Sequence, residues 1–241
     1  MEEKLLTLIN RDWTSPTLDG LMAVMSSLNF WAVPLIVVVV GVAIYGRFRA
    51  RAMLVVLAVT ILVSDSIVGD GLKRLIQRPR PNEVVAGVRI VTLNLHHPIP
   101  RLLALASGQA DAAKEPKEAQ EPGTEKSKAA WVHVAFSRPD PEHARGRSFP
   151  SDHTLNNFCA TMVLAFFYRR YGWLFAIPAT LIAYSRIYVG SHWPSDVAIS
   201  VVMAVGMSLL LLALYETLWR KLGPRMLPRL YERHRSLWEG A

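Results

Sequence analysis

Disulfide chemistry has almost nothing to work with in this chain, because Cys159 is its single cysteine. That excludes the cross-linked scaffold of a small secreted domain. Charge is sparse as well: Asp, Glu, Lys and Arg make up 19% of the 241 residues, against about 25% in an average soluble domain. With 51% apolar residues the chain is also too hydrophobic to stay disordered. The net charge of +8 comes without a zinc-finger, RRM or helix-turn-helix pattern, so no nucleic-acid partner is expected. No internal repeat of the kind found in many transporters is present. Met1-Glu2-Glu3-Lys4 is acidic and leads into no long apolar core, unlike a cleavable signal peptide, so the N-terminus is expected to be retained.

What the chain does contain is long uncharged runs, at residues 29–46 and 197–215, each of a length suited to crossing a bilayer. Five strong candidate spans follow, at residues 29–46, 52–69, 151–168, 171–188 and 194–218. Before them, Ser15-Pro16 has the form of a helix start, with Ser as cap and Pro in the first turn. Leu18, Leu21, Met22, Met25 and Leu28 continue at helical spacing, but Asp19 and the short length favour an interfacial helix over a sixth span. The expected fold is therefore all-α: an integral-membrane helical bundle with five or six transmembrane helices, N-terminal interfacial helices and a long extracytoplasmic loop. It divides into N-terminal helices (1–28), a membrane core (29–218) carrying an insertion (82–147), and a basic cytoplasmic tail (219–241).

Basic loops orient this bundle. Arg47, Arg49 and Arg51, then Arg169 and Arg170, then Arg220, Lys221, Arg225, Arg229, Arg233 and Arg235 fall on one side by alternation, and the positive-inside rule makes that side cytoplasmic. The insertion and the turn around His192 then face outward. Residues 84–105 alternate in polarity and are expected to fold or touch the membrane surface, whereas 107–129, rich in Ala, Glu, Lys, Gln and Pro, read as a mobile loop. Asn156 and Asn157 lie within a candidate span and read as helix-to-helix hydrogen-bonding groups. Cys159 reads as a small packing residue, and His96, His97 and His143 as solvent-exposed.

Three polar clusters lie at outer ends of different spans: Lys73 with Arg80-Pro81, then Pro150-Ser151-Asp152-His153, then Ser185-Arg186 through His192 to Asp196. The expected topology gathers them at one membrane face. Lys73, Arg80 and Arg186 supply lasting positive charge suited to phosphate oxygens, and Ser151 opens a helix whose free N–H groups favour an anion. Arg74 and Arg78 read instead as snorkelling interface residues. His192 and Asp196 stand four apart across Pro194. That spacing lets the carboxylate hold one ring proton and leaves the other nitrogen to attack phosphorus. His153 is then the general acid. Three nearby cations disfavour a divalent metal, so no metal and no cofactor are expected.

These clusters resemble the three motifs of the type 2 phosphatidic acid phosphatase family: Lys-x6-Arg-Pro, Pro-Ser-Gly-His and Ser-Arg-x5-His-x3-Asp. The resemblance implies a helical bundle, a phosphohistidine on His192, acid catalysis by His153 and phosphate binding by Lys73, Arg80, Ser151 and Arg186. One departure is Asp152, where the motif has Gly; Asp152 and Ser185 are candidate tuning residues. The string Pro-Ser-Asp-His-Thr is closer to the family's bacterial undecaprenyl-diphosphate phosphatases, which implies release of phosphate from undecaprenyl diphosphate outside the cytoplasm of a bacterial inner membrane. Phosphatidylglycerophosphate, phosphatidate and lipid A are alternative substrates. A phospholipid transporter or binding protein is the non-enzymatic alternative. The partners expected on either reading are a membrane lipid phosphate and the bilayer; the sequence sets no oligomeric state.

Overall fold

The computed structural model describes residues 1–93 and 132–238. The expected mobile stretch 107–129 and His96 and His97 lie outside the described residues.

Ser15 caps the second helix as its sequence predicts, its hydroxyl accepting from the Leu18 N–H with Pro16 in the first turn. The first helix, α1 (Glu2–Thr7), runs into a π-helical turn (Leu8–Asp12), and α2 (Pro16–Ser26) follows. Leu6, Ile9, Met22 and Ala23 point inward from this N-terminal region and pack with Val88, Val91, Tyr188 and Val189. Asp19, the charge that argues against a span, is buried and forks onto Arg89 at 2.8 and 2.9 Å while accepting from the Tyr188 hydroxyl at 2.7 Å. Its ion pair serves to dock α2 rather than to reach water.

Helix α3 (Leu28–Tyr45) buries no residue, and its Val37 and Val38 are exposed as lipid-facing side chains would be. Helix α4 (Phe48–Leu62) begins after a two-residue turn, passes through a π-helical stretch (Val63–Gly69), and continues as α5 (Asp70–Ile76). Gln77 then takes a left-handed conformation, φ 49°, which ends α5 and turns the basic segment away from the helix axis. A single turn, α6 (Pro81–Val84), leads to β1 (Arg89–Leu93), which pairs antiparallel with β2 (Val132–Phe136), Arg89 opposite Phe136 and Leu93 opposite Val132. The alternating polarity after residue 84 thus marks a strand, and the long insertion leaves the bundle through a hairpin.

The bundle centre is α7 (Asp152–Phe167), which packs on α4, on α8 (Ala176–Tyr188) and on α9 (Pro194–Met226). Leu155, Cys159 and Ala204 interlock without exposure, so Cys159 is a packing residue. Asn156 accepts from the Ser64 hydroxyl at 2.8 Å and so bonds between helices, whereas Asn157 donates to the His153 carbonyl of its own helix. Among the described residues three segments are long and apolar enough to cross a membrane, Leu28–Tyr45, Phe48–Val84 and Pro194–Met226. The predicted span at 171–188 is divided into a 3-10 turn (Gly172–Phe175) and α8, and α9 runs past residue 218 to carry Arg220, Lys221 and Arg225 on a continuous helix. A short helix, α10 (Pro228–Arg233), follows. Among the described residues the chain is a mostly helical integral-membrane bundle with one antiparallel pair of strands.

Candidate active site

Hydrogen bonds to backbone carbonyls bring the three polar clusters to one end of the bundle. The Ser148 N–H donates to the Arg78 carbonyl at 2.8 Å, and the Trp193 indole donates to the Pro79 carbonyl at 2.9 Å. The segment before α7 and the turn before α9 are thereby both stitched to the basic segment after α5. Gly146, with φ +60°, permits the first approach: a side chain there would put Cβ 2.7 Å from the Gln77 carbonyl oxygen. Gly190, φ +72°, does the same in the turn that delivers His192, lying against Val88 and the Arg89 carbonyl. Ser200 joins the two helix starts, accepting from the Ser151 N–H at 2.9 Å and donating to the Asp196 carbonyl at 2.7 Å.

His192 is 3% exposed, and the N–H groups of Ser191 and His192 both reach back to the Arg186 carbonyl. Its Nδ1 lies 2.6 Å from the Ser148 carbonyl oxygen. A carbonyl can only accept, so Nδ1 carries the proton and Nε2 is left with its lone pair. Burial, and then the charges of Arg186 and Arg80, hold the ring's pKa well below its ordinary value, with the Ser148 bond opposing and His153 adding to the depression. The neutral imidazole is the form a nucleophile needs.

The sequence spacing predicts that Asp196 grips His192 directly; the structure corrects this. Asp196 is fully buried in the first turn of α9, where its Oδ2 accepts from the Ser148 hydroxyl at 2.5 Å and from the Trp193 N–H at 3.1 Å. Its Oδ1 accepts from Arg78 at 2.6 Å. The carboxylate therefore reaches the imidazole through Ser148, whose hydroxyl it holds and whose carbonyl holds the ring. Asp196, the third residue of the helix, turns toward the preceding segment because Pro194 and the Trp193 cap start α9 with that carboxylate folded back over its own N-terminus.

Arg78 is the second correction. It is not a snorkelling residue: its guanidinium binds Asp196, the Ser195 hydroxyl at 2.8 Å and Glu2 at 2.7 Å, and lies over the Trp193 ring. Arg74, by contrast, is exposed. The hydroxyl of Ser185, a candidate tuning residue, donates at 2.7 Å to the Ile182 carbonyl in its own helix.

Around the two histidines stand the predicted cations. Arg80 caps α6, and Arg186 closes α8 at 9% exposure, donating to the hydroxyl of Ser26 at the end of α2 while its buried Nε has no partner. Lys73, Arg80 and Arg186 all lie close enough to His153 to act on its ring. Lys73 pairs with Asp152, so the residue that departs from the glycine motif occupies this cation in the structure, with one of its own oxygens buried and unbonded. Ser151 is completely buried at the cap of α7 and its hydroxyl accepts from Thr154 at 3.0 Å. Among the described residues no three His, Cys, Asp or Glu side chains come together as metal ligands would.

Motif spacing alone marks none of Ser148, Ser26 and Glu2. Arg78 sits in a visible basic run, but only its contacts separate it from Arg74. The arrangement that results sets two histidines beside the buried Arg186 and the partly buried Lys73 and Arg80, at one end of an apolar helical bundle.

The chain belongs to the PAP2 superfamily, whose profile matches residues 49–220. Over 63 residues it is 43% identical to the undecaprenyl-diphosphatase BcrC of Bacillus subtilis strain 168, covering 26% of this chain and 33% of that protein. Over 64 residues it is 39% identical to the bacitracin transport permease protein BcrC of Bacillus licheniformis, covering 27% and 32%. The matched stretches thus span about a third of these relatives. The crystal structure of Aquifex aeolicus LpxE superposes with a TM-score of 0.53 at 20% identity, over 88% of this chain and 94% of that one, a likeness of fold.

Proposed function

We propose that this protein is a membrane lipid phosphatase working through a phosphohistidine, with undecaprenyl diphosphate as its substrate. The observation that carries the reading is His192: a buried, neutral imidazole tied at Nδ1 to Ser148 and flanked by Arg80 and Arg186. A transporter or binding protein needs the cations but has no use for a histidine held in one tautomer. The choice of substrate is supported by the naming of the Bacillus subtilis relative and by the resemblance of Pro-Ser-Asp-His-Thr to that branch.

In the first step Nε2 of His192 attacks the terminal phosphorus, the P–O bond to the leaving lipid phosphate breaks, and His153, which takes up a proton from water as the anionic substrate offsets the neighbouring cations, gives it to that oxygen. Lys73, Arg80 and Arg186 bind the non-bridging oxygens, where charge builds in the transition state. Ser151 and the start of α7 add donors. Water then attacks phosphorus, giving its proton to His153, and inorganic phosphate leaves with His192 restored. For Lys73 to reach the phosphate, the incoming anion takes the place of Asp152. The lipid tail stays in the apolar surroundings, so the headgroup enters sideways between helices. With the basic loops inside, this chemistry faces the periplasm or cell exterior.

The test compares phosphate release from undecaprenyl diphosphate, phosphatidylglycerophosphate, phosphatidate and lipid A by purified protein in one bilayer system containing chelator. Undecaprenyl diphosphate is expected to give the highest kcat/KM, and orthovanadate to inhibit by binding to Lys73, Arg80 and Arg186. Preference for another lipid reassigns the substrate, and absence of release from all four overturns the phosphatase reading.

A further inference from the structure

The N-terminal helix ends up 193 positions in sequence from the helix it touches, yet its first-turn carboxylate reaches the nucleophile's support. Glu2 Oε2 accepts from Arg78 at 2.7 Å, and Oε1 accepts from the Ser195 N–H at 3.1 Å and from the Ser195 hydroxyl. Arg78 uses its other nitrogen for Asp196 at 2.6 Å; Asp196 takes the Ser148 hydroxyl at 2.5 Å; the Ser148 carbonyl takes Nδ1 of His192 at 2.6 Å. Every link is a short hydrogen bond of 2.5–2.7 Å, and three of the four carry an ionic partner.

The helix that bears Glu2 is firmly seated. Leu6 and Ile9 are buried against Val88 and Tyr188, and the Asn10 amide donates to the Tyr188 carbonyl at 2.6 Å while its oxygen accepts from the Arg89 N–H at 2.7 Å. Partial burial disfavours the ionised Glu2, but the Ser195 donors and Arg78 outweigh it and hold its carboxyl below the ordinary value. The neighbouring Glu3 is exposed. One carboxylate of the adjacent pair is thus committed to the site and the other to solvent.

We propose that Glu2 is a positioning residue for the His192 nucleophile, fixing the Arg78 guanidinium so that Asp196 and Ser148 hold the imidazole in its attacking tautomer. The N-terminal helix is then a part of the catalytic apparatus. Without Glu2, Arg78 has one carboxylate partner and is free to rotate toward solvent, Asp196 loses its fixed counter-charge, and the Ser148 segment loosens. Attack geometry suffers while the phosphate-binding cations are untouched, so the loss falls on kcat and not on KM.

This inference rests on the phosphatase reading, and the experiment separates the two. Glu2→Gln, Glu3→Gln, Arg78→Gln and the Glu2→Gln/Arg78→Gln double variant are assayed with whichever of the four lipid phosphates the wild type hydrolyses. The Nδ1–H proton resonance of His192 is followed in the same detergent without substrate. Glu2→Gln is expected to lower kcat on the order of tenfold with KM within about twofold, and the double variant to be no slower than Arg78→Gln alone. The Nδ1–H signal is expected downfield and sharp in wild type and Glu3→Gln, and displaced or broadened in Glu2→Gln. Wild-type kcat in Glu2→Gln, multiplicative losses in the double variant, or an unchanged Nδ1–H signal would each overturn the proposal. If the wild type hydrolyses none of the four lipids, the phosphatase reading fails and the resonance alone decides the relay.

Discussion

Arginines crowd both ends of the bundle, but the two ends neutralise them differently. At the His192 end Arg78 faces Glu2 and Asp196, and Arg89 faces Asp19, so carboxylates from distant parts of the chain fix these two guanidiniums. At the opposite end Arg49 donates to the carbonyl of Phe167, the last residue of α7, and lies over the Tyr168 ring; Arg51 donates to the Ile44 carbonyl in the last turn of α3 at 3.0 Å. There the cations close helix C-termini, where unpaired carbonyls and the helix dipole welcome positive charge. Arg220 has a carboxylate partner, Glu216, but it lies one turn away on the same helix and the guanidinium is half exposed. Long-range carboxylate pairing sets geometry; local carbonyl capping finishes an element. The first kind of contact is what a catalytic site requires and the second what a membrane boundary requires.

The sharpest way to break the comparison is His192→Ala. It removes the reacting nitrogen and leaves every ion pair at that end in place, so turnover is expected to fall roughly a thousandfold or more while the melting temperature in detergent changes little. Residual turnover near the wild-type rate would place the nucleophile elsewhere.

Next in size is Arg78→Gln, which leaves the fully buried Asp196 without its cation. Breaking a buried pair costs about 3–5 kcal/mol; because the Arg78 side chain is 29% exposed, a loss of about 2 kcal/mol is expected here after solvent screening. Denaturation in mixed micelles would measure it, together with the fall in kcat shared with Glu2→Gln. If Arg78→Gln matched Arg74→Gln in both stability and rate, its proposed place in the relay would be wrong.

The motif residues are legible in the sequence because chemistry and spacing travel together: Lys73 with Arg80, Ser151 with His153, and Arg186 with His192 and Asp196. Ser15-Pro16 is equally legible, since a cap is a local event. What the sequence hides is partner choice. Arg74, Arg78 and Arg80 share one basic run, and only the left-handed turn at Gln77 and the approach of residues 146–148 decide that Arg78 faces inward while Arg74 faces out. Ser148 carries no signal, as its role depends on a carbonyl and a hydroxyl meeting groups 44 and 48 positions away. Alternation after residue 84 is visible, but the all-α expectation reads no strand from it, because the partner β2 lies 39 or more residues further along the chain and the pairing is not local. Asp19 hides its partners for the same reason: only the fold brings Arg89 and Tyr188 against it.

The electrostatics of the His192 end give a prediction with a sign. Burial and the Arg186 and Arg80 charges lower the His192 pKa, so the folded protein keeps this ring neutral at pH values where a free histidine, titrating near pH 6.5, is already protonated. The unfolded chain binds the extra proton first, and this group therefore erodes stability as pH falls below about 6.5. NMR titration of ring-labelled His192 should show no protonation at pH 6.5, and the acid limb of kcat/KM that belongs to the nucleophile should lie below that pH. Arg80→Gln should move the titration upward, toward the free value. A ring that titrates at or above pH 6.5 in the wild type would contradict the buried, cation-flanked geometry.

The smallest effect is expected at the other end, from Arg51→Gln. Arg51 is exposed and makes a single bond to the Ile44 carbonyl, so what is lost is one charge–dipole contact at the end of α3, worth about 0.3–1 kcal/mol. Because that contact shares no partner with the Arg78 network, the substitution should leave kcat, KM and the His192 titration unchanged and should add independently to the stability loss of Arg78→Gln. Added salt should shrink its contribution, since an exposed contact is screened, and leave that of Arg78 nearly intact. A fall in kcat with Arg51→Gln, or a non-additive double variant with Arg78→Gln, would mean that the two ends are mechanically coupled through α4 and α9, and the division of labour between geometry-setting and helix-closing arginines would have to be given up.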